Sequence, residues 1–406
     1  MNFTPFENID WTYNERLENQ MKKIWPFSFY FLYFAAFSSL LPFIVLFYQR
    51  LGFTGTEIGL LTGLPPLITL FFAPLGTGLA DSTHRHKLIM GLGLAVAIGV
   101  ALLLPGLTGF AAVLALIILY NIFLSPVGSL ADSATLAMLG EQRSMYGRIR
   151  LGGTVGWGIF APIAGFLVQG QGLKIAFWMF AGIMFLALLV SQRFSFGKKD
   201  EHKQNNGGIR VLLTNRRWIF FLLVAFLAGL GVFSVASYLY PYMAELGANE
   251  SQMGTALLIA TLTEFPIFFF GDRLIKRFSA YGLFMIALIL IAIRSLLYFA
   301  ASSTYMVWAV QVFSGMVFPA MWLAGVSYAD ENAPAGLKST AQGLFGAVVF
   351  GFGSAVGGFL GGVLLEKIGG RNMFLVFGIV ILVGLALLEG VKRLFPEREL
   401  AQPEIL

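Results

Sequence analysis

Pro126-Val-Gly-Ser-Leu-Ala131 returns as Pro319-Ala-Met-Trp-Leu-Ala324, and Gly165-Phe-Leu returns as Gly358-Phe-Leu at the same step along the chain. Gly153 falls over Gly346 and Gly158 over Gly351 at that step. Leu51-Gly52 and Gly59 match Leu246-Gly247 and Gly254 to within two residues. A repeat of about half the chain means one structural unit built twice. What that unit is follows from the residues between these landmarks.

Hydrophobic residues make up 57% of the 406 and charged ones 12%, with a mean hydropathy of +0.79. Apolar runs of about 20 residues recur along the chain, each long enough to cross about 30 Å of hydrocarbon. Such runs exclude a β-barrel, whose strands read as short alternating segments. Six helices are expected to begin near Trp25, Thr56, Leu88, Phe110, Tyr146 and Lys174, and six more near Trp218, Ser251, Tyr281, Thr304, Lys338 and Arg371. The expected fold is an all-α polytopic membrane protein with twelve transmembrane helices in two pseudo-symmetric six-helix halves. The division reads as an N-terminal segment 1–23, halves 24–195 and 218–395, a central loop 196–217 rich in Lys, Asn and Gly, and a tail 396–406. An even number of helices per copy gives both halves one orientation, the parallel-repeat arrangement that places a solute site between them near the bilayer midplane.

The net charge of +6 would suggest nucleic acid in a soluble chain. Here the basic residues fall in short loops and set orientation. One side holds Arg85, Lys87, Arg143, Arg193, Arg216, Arg217, Arg273, Lys276 and Arg277 among others, while the other holds only Arg50, Lys174, Lys367 and Arg371. Both termini and the central loop are therefore expected on the cytoplasmic side of a bacterial inner membrane. The start of the chain lacks the basic region of a secretory signal, so no cleavage is expected. The expected partners are the lipid bilayer and a small-molecule solute, with no nucleic acid, and the chain is expected to be a monomer. Cysteine is absent and the three histidines lie in loops, which excludes disulfides, thiolate metal sites and a histidine relay within the membrane. No phosphate loop, metal cluster or nucleophile triad is found. An enzyme is not expected, nor any cofactor beyond a proton as coupling ion.

Against this apolar background, four ionisable residues lie inside helices: Asp132, Arg150, Glu264 and Arg294. A charge at the bilayer centre costs about 2.5–3.5 kcal/mol on insertion scales and marks a functional site by default. Asp132 and Arg150 flank one turn, each some turns into its helix, so they can meet. Together they offer either a fork for hydroxyl or carboxylate groups of a solute or a fixed ion pair between two helices. Glu264 has no cation one turn away and reads as a proton carrier or as the donor of one structural hydrogen bond. Arg294 reads as its partner, as a counter-charge for an anionic solute, or as a structural residue. Trp157 offers a ring for stacking. Tyr33, Tyr120, Asn121, Tyr238, Gln311 and Trp322 are candidate cavity lining, with Gln342. The clusters around Gly353–Gly358 and Gly361-Gly362 read as close helix packing.

Gly78-Leu-Ala-Asp81-Ser-Thr-His-Arg85-His-Lys87 resembles the cytoplasmic loop signature of the major facilitator superfamily, with Thr77 and His84 where that signature has glycines. Gly271-Asp272-Arg273-Leu-Ile-Lys-Arg277 is similar to a degenerate second copy. The resemblance implies a conformational latch at Asp81, Arg85, Lys87, Asp272 and Arg273. Tyr146-Gly-Arg148-Ile-Arg150-Leu-Gly-Gly-Thr-Val-Gly-Trp157 is similar to the segment that opens the fifth helix in the lactose permease branch, and Thr263-Glu264-Phe-Pro resembles the phenylpropionate permease-like branch. What this implies is that Arg150 and Asp132 hold sugar hydroxyls, Trp157 stacks on the ring, and Glu264 and Arg294 stand at that branch's eighth-helix carboxylate and ninth-helix arginine. From the residues themselves, a desolvated Glu264, with Arg294 and Asp132, is the expected proton-coupling group. Ser314 and Val317 stand where the lactose permease branch has a histidine and a glutamate, so its coupling scheme does not transfer whole. The expected function is a proton-coupled symporter of a small polar or aromatic solute such as a sugar, nucleoside or aromatic carboxylate, working by alternating access. An antiporter or exporter is the alternative, because Gly158-Ile-Phe-Ala161-Pro162-Ile-Ala-Gly165 partly resembles the superfamily's antiporter signature. A non-transporting membrane sensor is a second alternative.

Overall fold

The computed structural model describes residues 7–197, 208–334 and 336–394. The tail 396–406, residues 1–6 and the 198–207 part of the central loop lie outside the described residues. All regular structure among the described residues is helical. Ten stretches are long and apolar enough to cross a membrane. Two of them, Phe110–Gln171 with 62 residues and Lys338–Val391 with 54, are far too long for one crossing, since about 20 residues suffice. The first breaks at the 3-10 turn Gly140–Met145, and the second at Gly369, whose φ of 77° only glycine adopts without strain. Each therefore holds two crossings, which makes twelve.

We number the crossings in chain order. In the N-terminal half, α1 is Glu7–Leu40 continued through Ile44–Arg50, α2 Gly55–Thr83, α3 His86–Leu103, α4 Phe110–Leu124 with Val127–Leu139, α5 Tyr146–Gln171 and α6 Lys174–Ser191. In the C-terminal half, α7 is Arg216–Glu245, α8 Glu250–Phe278, α9 Ala280–Ala300 and α10 Thr304–Asn332. There α11 comprises Lys338–Gly346, the wide π turn Ala347–Gly353 and residues 354–368, and α12 covers 370–394. The first helix starts at Glu7, well before the expected Trp25, and runs through Pro26. Its stretch apolar enough to cross a membrane begins at Lys23.

The repeat is visible in local geometry. Gly52 and Gly247 both take a left-handed φ, 78° and 80°, and each is followed by a capping box. Thr54 caps α2 with Glu57, and Asn249 caps α8 with Gln252. Reciprocal capping satisfies backbone N–H groups that a helix start leaves open.

The halves meet where α2 packs on α11 and α5 on α8. Glycines allow both contacts. A Cβ on Gly55, Gly59 or Gly63 would meet the carbonyls of Gly362, Phe359 and Ala355 at 2.3, 2.6 and 2.6 Å. On the other pair, a Cβ on Gly254 would lie 2.6 Å from the Ala161 carbonyl and one on Gly165 2.4 Å from that of Glu250. All these positions lie toward the end of the bundle that carries Arg50, Lys174 and Arg371, here called the sparse end. At this end Arg50 reaches Glu250 at 3.1 Å, Glu366 accepts the Gly55 N–H at 2.8 Å, and the Phe43 and Tyr240 rings sit 4.9 Å apart.

Toward the opposite, basic end the halves part. A Cβ on Gly78, Gly128, Gly147, Gly343 or Gly346 would meet nothing within 4 Å. The contacts between the halves gather toward the sparse end, while Asp132 and Arg150 stay part-exposed, from which we infer a cleft between two helical halves, closed at the sparse end and open at the basic one.

Candidate functional site

The cleft wall of the N-terminal half carries a connected polar group. Arg150, on the second turn of α5, donates from Nη1 to Asp132 Oδ1 at 2.8 Å and to the Tyr146 hydroxyl at 2.8 Å. Tyr30, buried on α1, donates to the same Asp132 oxygen at 2.5 Å, and its ring lies 5.7 Å from the guanidinium. The expected meeting of Asp132 and Arg150 is observed. Neither is sealed: their side chains are 36% and 47% exposed. Nε and Nη2 of Arg150 make no hydrogen bond among the described residues, so the fork retains donors for another molecule. Tyr146 was within reach of sequence reasoning, four residues before Arg150 on one helix face. Tyr30 was not, because it lies 102 residues from Asp132.

The C-terminal half is built the opposite way. Arg294 on α9 is 4% exposed. It donates to Ser314 Oγ at 3.2 Å and to the Gly231 carbonyl at 2.9 Å, while its Nε has no partner. No carboxylate lies at ion-pair distance among the described residues. The expected Glu264–Arg294 pair is therefore not formed, and Arg294 does not face the cleft. Glu264 on α8 is half-buried and makes no hydrogen bond or ion pair among the described residues. Between the two stands the crossing of α8 and α10. A Cβ on Gly315 would come 2.0 Å from Thr263 Oγ1, so Thr263, beside Glu264, presses against the neighbour of Ser314.

The candidate lining residues divide. Tyr33, Asn121, Trp157 and Trp322 are half-buried. Tyr33 stacks on Phe29 at 5.4 Å, and Asn121 donates to the Ile117 carbonyl of its own helix at 2.7 Å. Tyr120 is half-buried too, with a hydroxyl that has no partner. Tyr238 and Gln311 correct the expectation. Tyr238 is fully buried, and its hydroxyl donates to the Gly358 carbonyl and lies 2.8 Å from Thr62 Oγ1. It ties α7 to α11 and, across the halves, to α2 at the closed end. Gln311 is 2% exposed and links the Tyr298 hydroxyl to the Ala256 carbonyl, a helix-to-helix brace. Gln342 lies 3.4 Å from Asp330.

The expected latch residues lie at the open end. Arg85, Lys87, Asp272 and Arg273 are exposed and Asp81 half-exposed. Asp81 accepts from His86 at 3.0 Å, Lys87 donates to the Gln192 carbonyl at 3.3 Å, and Arg273 lies over Phe270 at 5.4 Å. These contacts stay within one half. Sequence reasoning missed the contacts that do cross, Arg50–Glu250 and Glu366–Gly55, because neither partner announces the other.

A two-half bundle with an open charged cleft fits a solute carrier, and the comparisons decide the family. The MFS_1 like family matches residues 24–376. The chain belongs to that family. It is a major facilitator transporter and not an enzyme. The maltose permease of Geobacillus stearothermophilus is 30% identical over 373 residues, covering 90% of this chain and 93% of that one. The uncharacterized transporter YwbF of Bacillus subtilis is 23% identical, covering 88% and 90%. Among solved structures, the nucleoside transporter NupG superposes with a TM-score of 0.79 at 17% identity, covering 93% of this chain and 100% of that one. That likeness confirms the major facilitator fold.

Proposed function

We propose that this transporter is a proton-coupled symporter of a small hydroxylated ring solute, a sugar before a nucleoside. Its termini lie in the cytoplasm of a bacterial cell, and the conformation described opens inward. The observation that carries the reading is the Asp132–Arg150 pair, ion-paired yet open to the cleft. A guanidinium beside a carboxylate presents planar donors and acceptors at fixed spacing, which suits neighbouring hydroxyls. The similarity to a maltose permease along nearly the whole of both chains favours a saccharide. Glu264, half-buried and without a hydrogen-bond or ion-pair partner among the described residues, is the carboxyl group suited to carry the coupling proton. Protonated, it would favour solute binding from outside, and solute and proton would leave together inside.

The second reading is an antiporter, carried by the likeness around Gly158 and Gly165. These glycines pack α5 against Thr261 and Glu250 of α8, a contact that serves either direction of coupling. The test is calorimetric titration of the purified chain with maltose, glucose and uridine. Binding of at least one, weakened about tenfold or more in Asp132→Asn and Arg150→Ala, is the expected result. Binding at full affinity in both variants would remove the pair from the site.

A further inference from the structure

Trp157 on α5 has a counterpart that composition alone does not reveal. The step that carries Pro126 to Pro319 and Gly165 to Gly358 carries Trp157 to Phe350 on α11. The surroundings of the two are related in the same way. One residue before Trp157, a Cβ on Gly156 would meet the Phe31 carbonyl of α1 at 2.1 Å, and one residue after it, Gly158 faces Thr261 of α8 at 3.0 Å. One residue before Phe350, the Val349 carbonyl abuts Gly229 of α7 at 2.5 Å, and one residue after it, Gly351 faces Leu70 of α2 at 3.2 Å. The residues on either side of each ring thus face one helix of the same half and one helix of the other half.

The faces turned away are apolar and open, as lipid-facing positions are: Ile159 at 45% beyond Trp157 and Phe352 at 47% beyond Phe350. Trp157 follows Arg150 by seven residues, two helical turns on one face, so it shares the cleft wall with the charged pair. Phe350 is 39% exposed, although its ring is held by Trp322 at 5.1 Å and by Phe233 at 5.3 Å. It sits at the centre of the π turn Ala347–Gly353, a distortion that recurs at functional sites. Where the N-terminal half has Arg150, the C-terminal half has Gly343, and a Cβ there would meet nothing within 4 Å. One wall is charged, the other is aromatic with room in front of it.

We infer that Phe350 is a solute-binding residue, the C-terminal partner of Trp157, and that the two rings close on opposite faces of a pyranose ring whose hydroxyl rim lies on Asp132 and Arg150. The inference rests on the reading of that pair as a solute site and adds the second wall to it. A ring gripped by both halves makes closure of the cleft depend on the solute, because each half supplies one ring at the matching place in its fold.

The test is maltose titration of the purified full chain with Phe350→Leu, Phe350→Tyr, Trp157→Leu, Asp132→Asn and, on the outer face, Phe352→Leu. A stack on an aromatic ring lost from either side weakens binding about tenfold. Phe350→Leu and Trp157→Leu are each expected to show that loss, Phe350→Tyr to retain affinity within about threefold, and Phe352→Leu to match the unaltered chain. Should Phe350→Leu lower the Tm, Phe350→Met takes its place. Full affinity in the Phe350 variant alongside losses in Trp157→Leu and Asp132→Asn overturns the two-sided grip and leaves the charged pair standing. Maltose binding untouched by Asp132→Asn overturns both.

Discussion

The two halves share one frame and treat their buried charges in opposite ways. In the N-terminal half Arg150 has a carboxylate partner and remains 47% exposed. In the C-terminal half Arg294 has none and is 4% exposed, held by a serine and a backbone carbonyl. An open ion pair keeps much of its hydration and leaves donors for a solute. A sealed guanidinium, always charged, gains little from neutral partners, since burying a charge is costly unless it is paired. The frame therefore does not explain the charges. The proposed solute site uses the open pair, whereas the sealed guanidinium of Arg294 has only Ser314 and the Gly231 carbonyl as partners.

The comparison is sharpest where one half is altered and the other left intact. Asp132→Asn weakens the charge-assisted contacts of the open pair. Such bonds contribute about 1.5–3 kcal/mol, so solute affinity measured by calorimetry should fall roughly tenfold to a hundredfold. Arg294→Met should leave it within about threefold, and an equal loss in both would erase the distinction. Arg294→Met should also keep or raise the Tm by a few degrees, because replacing a buried charge with an apolar side chain of similar length is often neutral or stabilising. A drop of more than about 10 °C would make Arg294 part of the scaffold.

At the closed end, Gly254→Val inserts atoms where a Cβ already lies 2.6 Å from the Ala161 carbonyl. Overpacking of this kind costs about 1–3 kcal/mol, so the Tm of the variant should fall and solvent labelling of a cysteine placed at Thr261 should rise. An unchanged Tm would mean that the α5–α8 contact is looser than described. The smallest effect is expected from Arg50→Ala. The Arg50–Glu250 bridge is 57% and 21% exposed, and such surface pairs contribute about 0–1 kcal/mol. Its Tm should stay within a few degrees, and a larger fall would make this bridge the principal lock of the closed end.

Much of the fold could be read from the sequence because glycines at a fixed step and apolar runs are one-dimensional signals. Gly52 and Gly247, Gly59 and Gly254, and Gly165 and Gly358 marked turns and close approaches that the structure shows in place. The site was legible in part. Asp132 and Arg150 flank one turn, and their spacing alone allowed the pair. Tyr30 belongs to the same group but comes from another helix, and nothing local points to it. Tyr238 and Gln311 are polar residues on inner helices, so their type suggested the cleft. Which face they present depends on the rotation of α7 and α10, set by packing against Gly358 and Ala256. Glu264 and Arg294 illustrate the same limit: both were found as charges, but that they lie on α8 and α9 without pairing is a three-dimensional fact. The early start of α1 at Glu7 was missed because its first turns are polar and look like a tail.

The central claim is that solute held at the Asp132–Arg150 pair crosses the membrane with a proton carried on Glu264. The direct measurement is external pH in proteoliposomes of the purified chain when maltose, glucose or uridine is added without an imposed gradient. A solute that enters should make the outside more alkaline, and Glu264→Gln should abolish that signal while binding persists. Solute entry with no pH change, or a pH change that survives in Glu264→Gln, would contradict the account.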